Sequence, residues 1–241
     1  MTTRKTPVVF IPGIGCTGQM FRTQIEDLQE IMEPWEAPLY PVDTIEEMGR
    51  LILKNCPFDR FAVVGASMGG YLCFEIYKQA PDRVIALAPV CTMPQPDSVE
   101  LAARRLIMNR QIINGRWRTM WGAIIRKCLA PSRRDDTAIA TEVISHMTST
   151  CPDAFLLHQR AMASREGYEA MLGDIRCPTT VIAGIDDEVI TLRTQAAMQA
   201  DIPGSHLIAV RDCGHLPTWE QPTKISQALS RWLGYTEALA A

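Results

Sequence analysis

The sequence predicts an α/β protein: an open, doubly wound, mostly parallel sheet of about six strands with a helical segment inserted between two of them. Three observations lead to this. Short β-branched apolar runs alternate with longer helical patterns, and near-continuous apolar strands separated by helices indicate a parallel sheet covered on both faces. The alternation stops over Thr92–Leu172, where helical periodicity continues without a strand pattern, and then resumes. The chain has 241 residues, 47% hydrophobic and 21% charged. That is an ordinary globular composition, able to bury roughly 70–75% of the unfolded surface without a disulfide or metal.

The elements follow in order. Val8–Ile11, bounded by Pro7 and Pro12, reads as the first strand, and Met20–Met32 as a helix. Leu39–Val42 suggests a weaker strand and Thr44–Asn55 a helix. Phe61–Gly65 (FAVVG) and Val84–Val90 (VIALAPV) are strands flanking a helix at Gly70–Gln79. In the segment that follows, Arg alternates with large apolar residues over Leu101–Ile113, Trp117–Leu129 and Thr137–Met147, punctuated by Pro94, Pro96, Pro131 and Pro152. Strands return at Thr179–Ala183 and His206–Val210, with helices at Leu192–Ala200 and Pro222–Leu233. A helical insertion between two strands of one sheet is the simplest account. It divides the chain into a core of residues 1–91 and 173–241 and a helical cap of residues 92–172.

The net charge is −3, which gives no electrostatic reason to expect nucleic-acid binding. The insertion carries 11 Lys/Arg against 8 Asp/Glu and is the basic half of an acidic chain. No apolar run approaches the ~20 residues of a membrane span, and Val8–Ile11 is too short for a signal-peptide core, so the reading is cytoplasmic with no membrane partner. The eight cysteines form no C-x-x-C pair and no zinc spacing. They read as buried hydrophobes; Cys16 and Cys213, near the functional loops, are the two to watch for oxidation.

Gly65–Ala66–Ser67–Met68–Gly69–Gly70 is the strongest chemical signal. A G-x-S-x-G turn between an apolar strand and a helix raises the serine above the carboxyl ends of the strands and aims the helix N–H groups at any anion formed there. Serine needs a base to take its proton. Of the four histidines, His215 in Asp212–Cys213–Gly214–His215–Leu216 lies just past the last strand, at the same sheet edge. His206 starts that strand at the opposite edge and reads as structural, while His146 and His158 belong to the insertion. Asp187, three residues beyond Gly184, is the preferred acid to orient the imidazole; Asp186 and Glu188 read as solvated or helix-capping. The order Ser, Asp, His along the chain differs from that of the chymotrypsin and subtilisin folds. For the two N–H donors of an oxyanion hole, Met68 and Ile14 are the candidates, with Gly13 and Gly15 giving the first loop room to turn.

Together IPGIG, GASMGG, GIDDEVI and DCGHLPTWEQP resemble the α/β-hydrolase superfamily, and most nearly its small esterase and lactonase branch, which includes 3-oxoadipate enol-lactonase-like proteins. The resemblance covers nearly the whole chain. It implies Ser67 as nucleophile, His215 as base, Asp187 as acid, Ile14 and Met68 at the oxyanion hole, and 92–172 as the cap. The chain departs from the family in three places. Pro12–Gly13 stands where His-Gly is usual, so the hydrogen bonds of that histidine are lost. The family's first two strands are missing. The family's usual D-x-x-G-x-G-x-S loop is contracted to Tyr40–Thr44, which leaves one side of the entrance open.

Trp117, Trp121 and Met93, with Met120 and Met147, are candidates to wall an apolar substrate pocket, although a Trp/Met stripe at helical spacing is more often core. Arg104, Arg105, Arg110, Arg116, Arg118 and Arg126 offer bidentate donors for a substrate carboxylate, at most one or two of them in a site. The chemistry implied is hydrolysis of a small-molecule carboxylic ester or lactone by a serine hydrolase, through an acyl-enzyme, calling for no metal and no organic cofactor, in a monomer or homodimer. Alternatives are a carbon–carbon bond hydrolase of aromatic ring-fission products and a non-catalytic ligand-binding protein on the same scaffold.

Overall fold

A computed structural model describes the backbone over residues 5–240 and the side chains over residues 5–235. Six parallel strands form one sheet: β1 (Thr6–Ile11), β2 (Met32–Glu36), β3 (Phe61–Ala66), β4 (Val84–Val90), β5 (Thr180–Gly184) and β6 (His206–Val210), in the order β2-β1-β3-β4-β5-β6. From β1 the chain steps outward to β2, then returns to the other side of β1 for β3. The connections leaving β1 and β3 therefore diverge, and this reversal opens a crevice at the carboxyl edge.

The strand sequences explain the two-sided burial. Val9, Ile11, Val63, Leu87 and Val181 point to one face, against α2 (Ile45–Asn55), α3 (Met68–Gln79) and α9 (Leu192–Ala200). Their neighbours Val8, Phe10, Val64, Ala88 and Ile182 point to the other, against α1 (Arg22–Leu28) and α11 (Pro222–Ala240), where Phe21, Leu229 and Trp232 fill the layer. Strands apolar on both faces lose the period-2 signal, as a doubly covered sheet requires.

One strand differs from its sequence expectation. Leu39–Val42 is irregular chain, and the second strand is Met32–Glu36; the helix expected over Met20–Met32 is a 3₁₀ turn at Gly18–Phe21 followed by α1, ending at Leu28. β2 is an edge strand with Met32 its one fully buried residue, and an edge tolerates Pro34. With one pairing side and little burial, its sequence carries no strand pattern. Leu39, Tyr40 and Val42 pack on the core from a loop, which gives them their apolar character.

Between β4 and β5 lie α4 (Val99–Ile113), α5 (Trp121–Cys128), α6 (Thr137–Thr148), α7 (Pro152–Ser164) and α8 (Glu169–Leu172), with no strand among the described residues of this stretch. Side-chain caps set two of the starts: Ser98 accepts from Leu101 N–H, and Asp136 from Ala138 and Ile139 N–H. The helix expected from Trp117 starts only at Trp121, because the chain turns at Gly115 (φ +77°) through Thr119. These helices enclose a third apolar cluster around Trp117, Trp121, Ile125, Met147 and Phe155. Buried Asp97, in the entry segment, ties them to the rest: it pairs with Arg105 of α4 and with Arg165 (2.6 Å), whose guanidinium lies 3.8 Å over the Tyr71 ring of α3. Among the described residues, no helix is long and apolar enough to cross a membrane.

Candidate active site

Ser67 occupies the turn from β3 into α3 with φ +52° and ψ −111°, a conformation that L-residues rarely adopt. Two glycines permit it. A Cβ at Gly65 would lie 2.1 Å from Gly69 O, and one at Gly69 would lie 2.1 Å from Ile11 O. Neighbouring backbone holds the strained turn: Ser67 N–H donates to Val90 O (2.9 Å), while Thr92 Oγ1 (2.9 Å) and Gly70 N–H (2.9 Å) donate to Ser67 O.

Loops from the far end of the sheet bring the other two groups to this hydroxyl. His215, after β6, sets Nε2 3.1 Å from Ser67 Oγ and Nδ1 2.8 Å from Asp187 Oδ2. A carboxylate only accepts, so Nδ1 carries the proton and Nε2 presents its lone pair to the Ser67 hydroxyl. Asp187 follows β5, is 4% exposed, and its Oδ1 accepts from Val189 N–H (2.8 Å) and Ile190 N–H (2.9 Å). The competing carboxylates lie elsewhere. Asp186 accepts from Cys213 N–H at 3.4 Å, and Glu188 pairs with Arg134 at 2.5 Å. Neither caps the next helix; Thr191 does. Burial disfavours the charged form of His215, but the charge and hydrogen bond of Asp187, aided by Glu220, outweigh it and hold the imidazole above its usual pKa.

Glu220 is a buried residue beside the site that the sequence analysis does not single out. In α10 (Pro217–Glu220) and 2% exposed, it accepts from the N–H groups of Gly214 (3.0 Å), Leu216 (3.1 Å) and Ala130 (2.7 Å). His215 N–H donates to Cys128 O at 2.7 Å. The backbone on both sides of the imidazole is thus pinned, partly by the end of α5. The signal available was a lone glutamate five residues after His215, in the segment LPTWEQP.

The loop after β1 passes beside Ser67. A Cβ on Gly13 would sit 3.6 Å from Ser67 Cβ, and Gly13 N–H points at Met20 Sδ (3.3 Å), which leaves Ile14 as the next donor along the loop. Met68 is the first residue of α3, where N–H groups have no partner within the helix. The structure therefore brings Ser67, His215 and Asp187 into one hydrogen-bonded chain with the Ile14 and Met68 positions beside it.

Trp117 and Trp121 are buried edge-to-face against each other (5.0 Å) and against Phe155 (5.2 and 5.4 Å) as the centre of the third cluster; Ile14 and Leu216 pack on that cluster. Met93, half-buried, packs on the α3 side of the sheet. Of the arginines, Arg105 is engaged by Asp97 and Gln159, Arg126 by Asp135 and Arg116 by Gln111, while Arg104, Arg110 and Arg118 face solvent. His206 lies on the surface against Tyr235, and His158 is buried with Nε2 2.9 Å from Tyr40 O. Burial pushes the Cys16 thiol up to about 12 and raises Cys213 as well, so neither is a thiolate at neutral pH. Cys91 Sγ, Asp187 and His215 place three donor atoms within 4.8 Å of one another. The carboxylate and both ring nitrogens are already committed to the hydrogen bonds above.

Known proteins share this arrangement of the chain. A family model described as the alpha/beta hydrolase fold matches residues 31–222. A pimeloyl-[acyl-carrier protein] methyl ester esterase of Proteus mirabilis is 24% identical over 246 residues, covering 93% of this chain and 91% of its own. Among solved structures, a thermophilic esterase from Thermogutta terrifontis superposes with a TM-score of 0.87 at 25% identity, covering 98% of this chain and 92% of that one. The enol-lactonase from Burkholderia xenovorans has a TM-score of 0.84 at 18% identity over 96% of this chain and 92% of its own, a likeness of fold. With the six-stranded parallel sheet and a family match across most of its length, the chain belongs to the alpha/beta hydrolase fold family.

Proposed function

We propose that the protein is a serine hydrolase that cleaves a carboxylic ester or lactone through an acyl-enzyme. The observation that carries this is the hydrogen-bonded chain from Ser67 through His215 to Asp187, with its hydroxyl on a strained turn at the crevice. Ser67 Oγ attacks the carbonyl carbon while His215 Nε2 takes its proton. Asp187 holds the Nδ1–H tautomer and stabilises the imidazolium. The Ile14 and Met68 N–H groups bind the oxyanion, each such donor contributing ~10²–10³ in turnover. His215 returns the proton to the departing alkoxide, then takes one from the water that attacks the acyl carbon and passes it to Ser67 Oγ as the acid leaves. In this reading residues 92–172 form a cap, and the cluster around Trp117 and Trp121 supports the acyl side of the pocket through Ile14 and Leu216.

The test is hydrolysis of p-nitrophenyl esters from acetyl to octanoyl, beside methyl esters of carrier-bound acids, lactones and a ring-fission diketone, with Ser67→Ala in parallel. Burst release of p-nitrophenol in wild type and none in Ser67→Ala is the expected result. Equal rates in the two proteins, or silence across the whole panel, would overturn the reading.

A further inference from the structure

The loop after β1 has few hydrogen bonds of its own: Cys16 N–H donates to Gly13 O at 3.1 Å, Gly13 N–H points at Met20 Sδ at 3.3 Å, and Pro12 supplies no N–H. Gly15 turns it at φ +69°. Further support comes from the end of α6. His146 Nε2 accepts the Thr17 N–H at 3.0 Å, and Thr150 Oγ1 reaches Gly15 O at 3.4 Å. Met147 Cε and the Phe155 ring press on Gly15 so closely that a Cβ there would meet them at 3.0 and 3.1 Å. The His146 ring also stands edge-on to Trp219 (5.7 Å) in α10, the helix that ends in Glu220 behind His215.

We propose that His146 is a positioning residue for the oxyanion loop: as a neutral imidazole it accepts the Thr17 N–H and keeps Ile14 directed at the carbonyl oxygen held over Ser67. This deepens the reading of the protein as a serine hydrolase and rests on it. The accepting role requires an unprotonated Nε2. An N–H is a donor only, so a protonated ring at this distance would set two donors against each other. The surroundings favour the neutral form. Burial lowers the His146 pKa, with Glu142 one turn earlier on α6 opposing it. His146 lines an open groove of about 730 Å³ that also holds Glu142, Arg22 of α1 and Trp219 of α10. Glu142 and Arg22 are the charged groups lining that groove, and they are of opposite sign.

The experiment compares His146→Ala, His146→Leu and His146→Gln with wild type on p-nitrophenyl butyrate and reads exchange of the Gly13–Met20 amides by hydrogen–deuterium mass spectrometry. Ala and Leu remove the acceptor, whereas the Gln amide oxygen restores one. The expected result is a fall in kcat of about 3- to 10-fold in Ala and Leu with KM within about twofold, and recovery to within about twofold of wild type in Gln. Amide exchange in the loop should quicken in Ala and Leu and return toward wild type in Gln. Unchanged kcat and exchange in Ala and Leu, or an equal loss in all three variants, would overturn the proposal. A wild-type protein that hydrolyses no ester would refute the serine-hydrolase reading instead, and the exchange comparison would still decide the hydrogen bond.

Discussion

Replacing Glu220 with Ala removes the acceptor that holds the base loop. The carboxylate is 2% exposed and takes three backbone N–H groups, from Ala130, Gly214 and Leu216, at 2.7 to 3.1 Å. Without it three buried donors lose their partner, at a cost of ~1–3 kcal/mol each. Water entering the vacated space offsets part of this, so the low end applies, about 3 kcal/mol in all, against a typical stability of ~5–15 kcal/mol. At ~2–4 °C per kcal/mol for a chain of this size, the melting temperature should fall by about 6–12 °C. Activity should suffer more, because the donors beside His215 are the ones released. A misplacement of ~1 Å costs on the order of 10²-fold, and the Nε2 to Oγ contact has little slack at 3.1 Å. Glu220→Gln keeps an oxygen for Gly214 and Leu216 and turns an amide N–H toward Ala130 N–H, so its losses should be intermediate. Melting by circular dichroism and p-nitrophenyl ester kinetics in one buffer give both numbers. An Ala variant that melts within 2 °C of wild type and keeps half its kcat would refute the claim that this carboxylate fastens the loop.

Ser67→Ala should abolish burst and steady-state ester hydrolysis while leaving the fold intact, as read by activity and far-UV circular dichroism. Hydrolysis needs neutral His215, and Asp187 holds the imidazole pKa up, so wild-type kcat/KM should decline with acid from a midpoint above the ordinary ~6.5. Asp187→Asn should lower that midpoint in the pH–rate profile and reduce kcat by about 10⁴. Asp97→Ala removes the carboxylate that pairs with Arg105 and Arg165, the latter with a side chain 1% exposed, and should cost ~3–5 kcal/mol in urea unfolding, whereas loss of the exposed Arg50–Glu47 pair should leave the urea midpoint essentially unchanged.

The parts of the site legible in sequence are those that covalent geometry forces into a short pattern. The turn at Ser67 needs glycine at 65 and 69 because backbone carbonyls lie 2.1 Å from where a Cβ would be, so the pattern records a steric fact. His215 and Asp187 are legible by position, each just beyond the carboxyl end of a strand and following a glycine. β2 is misplaced because MEPWE has neither alternation nor an apolar β-branched run, whereas β6, an edge strand with equally little burial, still reads as HLIAV. The contacts of Glu220 and His146 are illegible for a different reason. Their partners are backbone N–H groups up to 129 residues distant, and a backbone donor leaves no mark on the sequence.

Those long-range hydrogen bonds also bear on what the helices between β4 and β5 are for. A segment that only covered the crevice would touch it through apolar side chains and could be lost with a change in substrate range. Here the end of α5 receives His215 N–H through Cys128 O, and Ala130 N–H shares Glu220 with the base loop. The end of α6 receives Thr17 N–H from the loop after β1. Each of the two loops beside Ser67 therefore has a backbone N–H accepted by this helical segment, His215 N–H by Cys128 O and Thr17 N–H by the His146 side chain. In this chain, then, the sheet places Ser67, Asp187 and His215 at one edge, and the helices between β4 and β5 hold the loops on either side of them. On the proposed serine-hydrolase reading, those are the loops that proton transfer and oxyanion binding would need held in place.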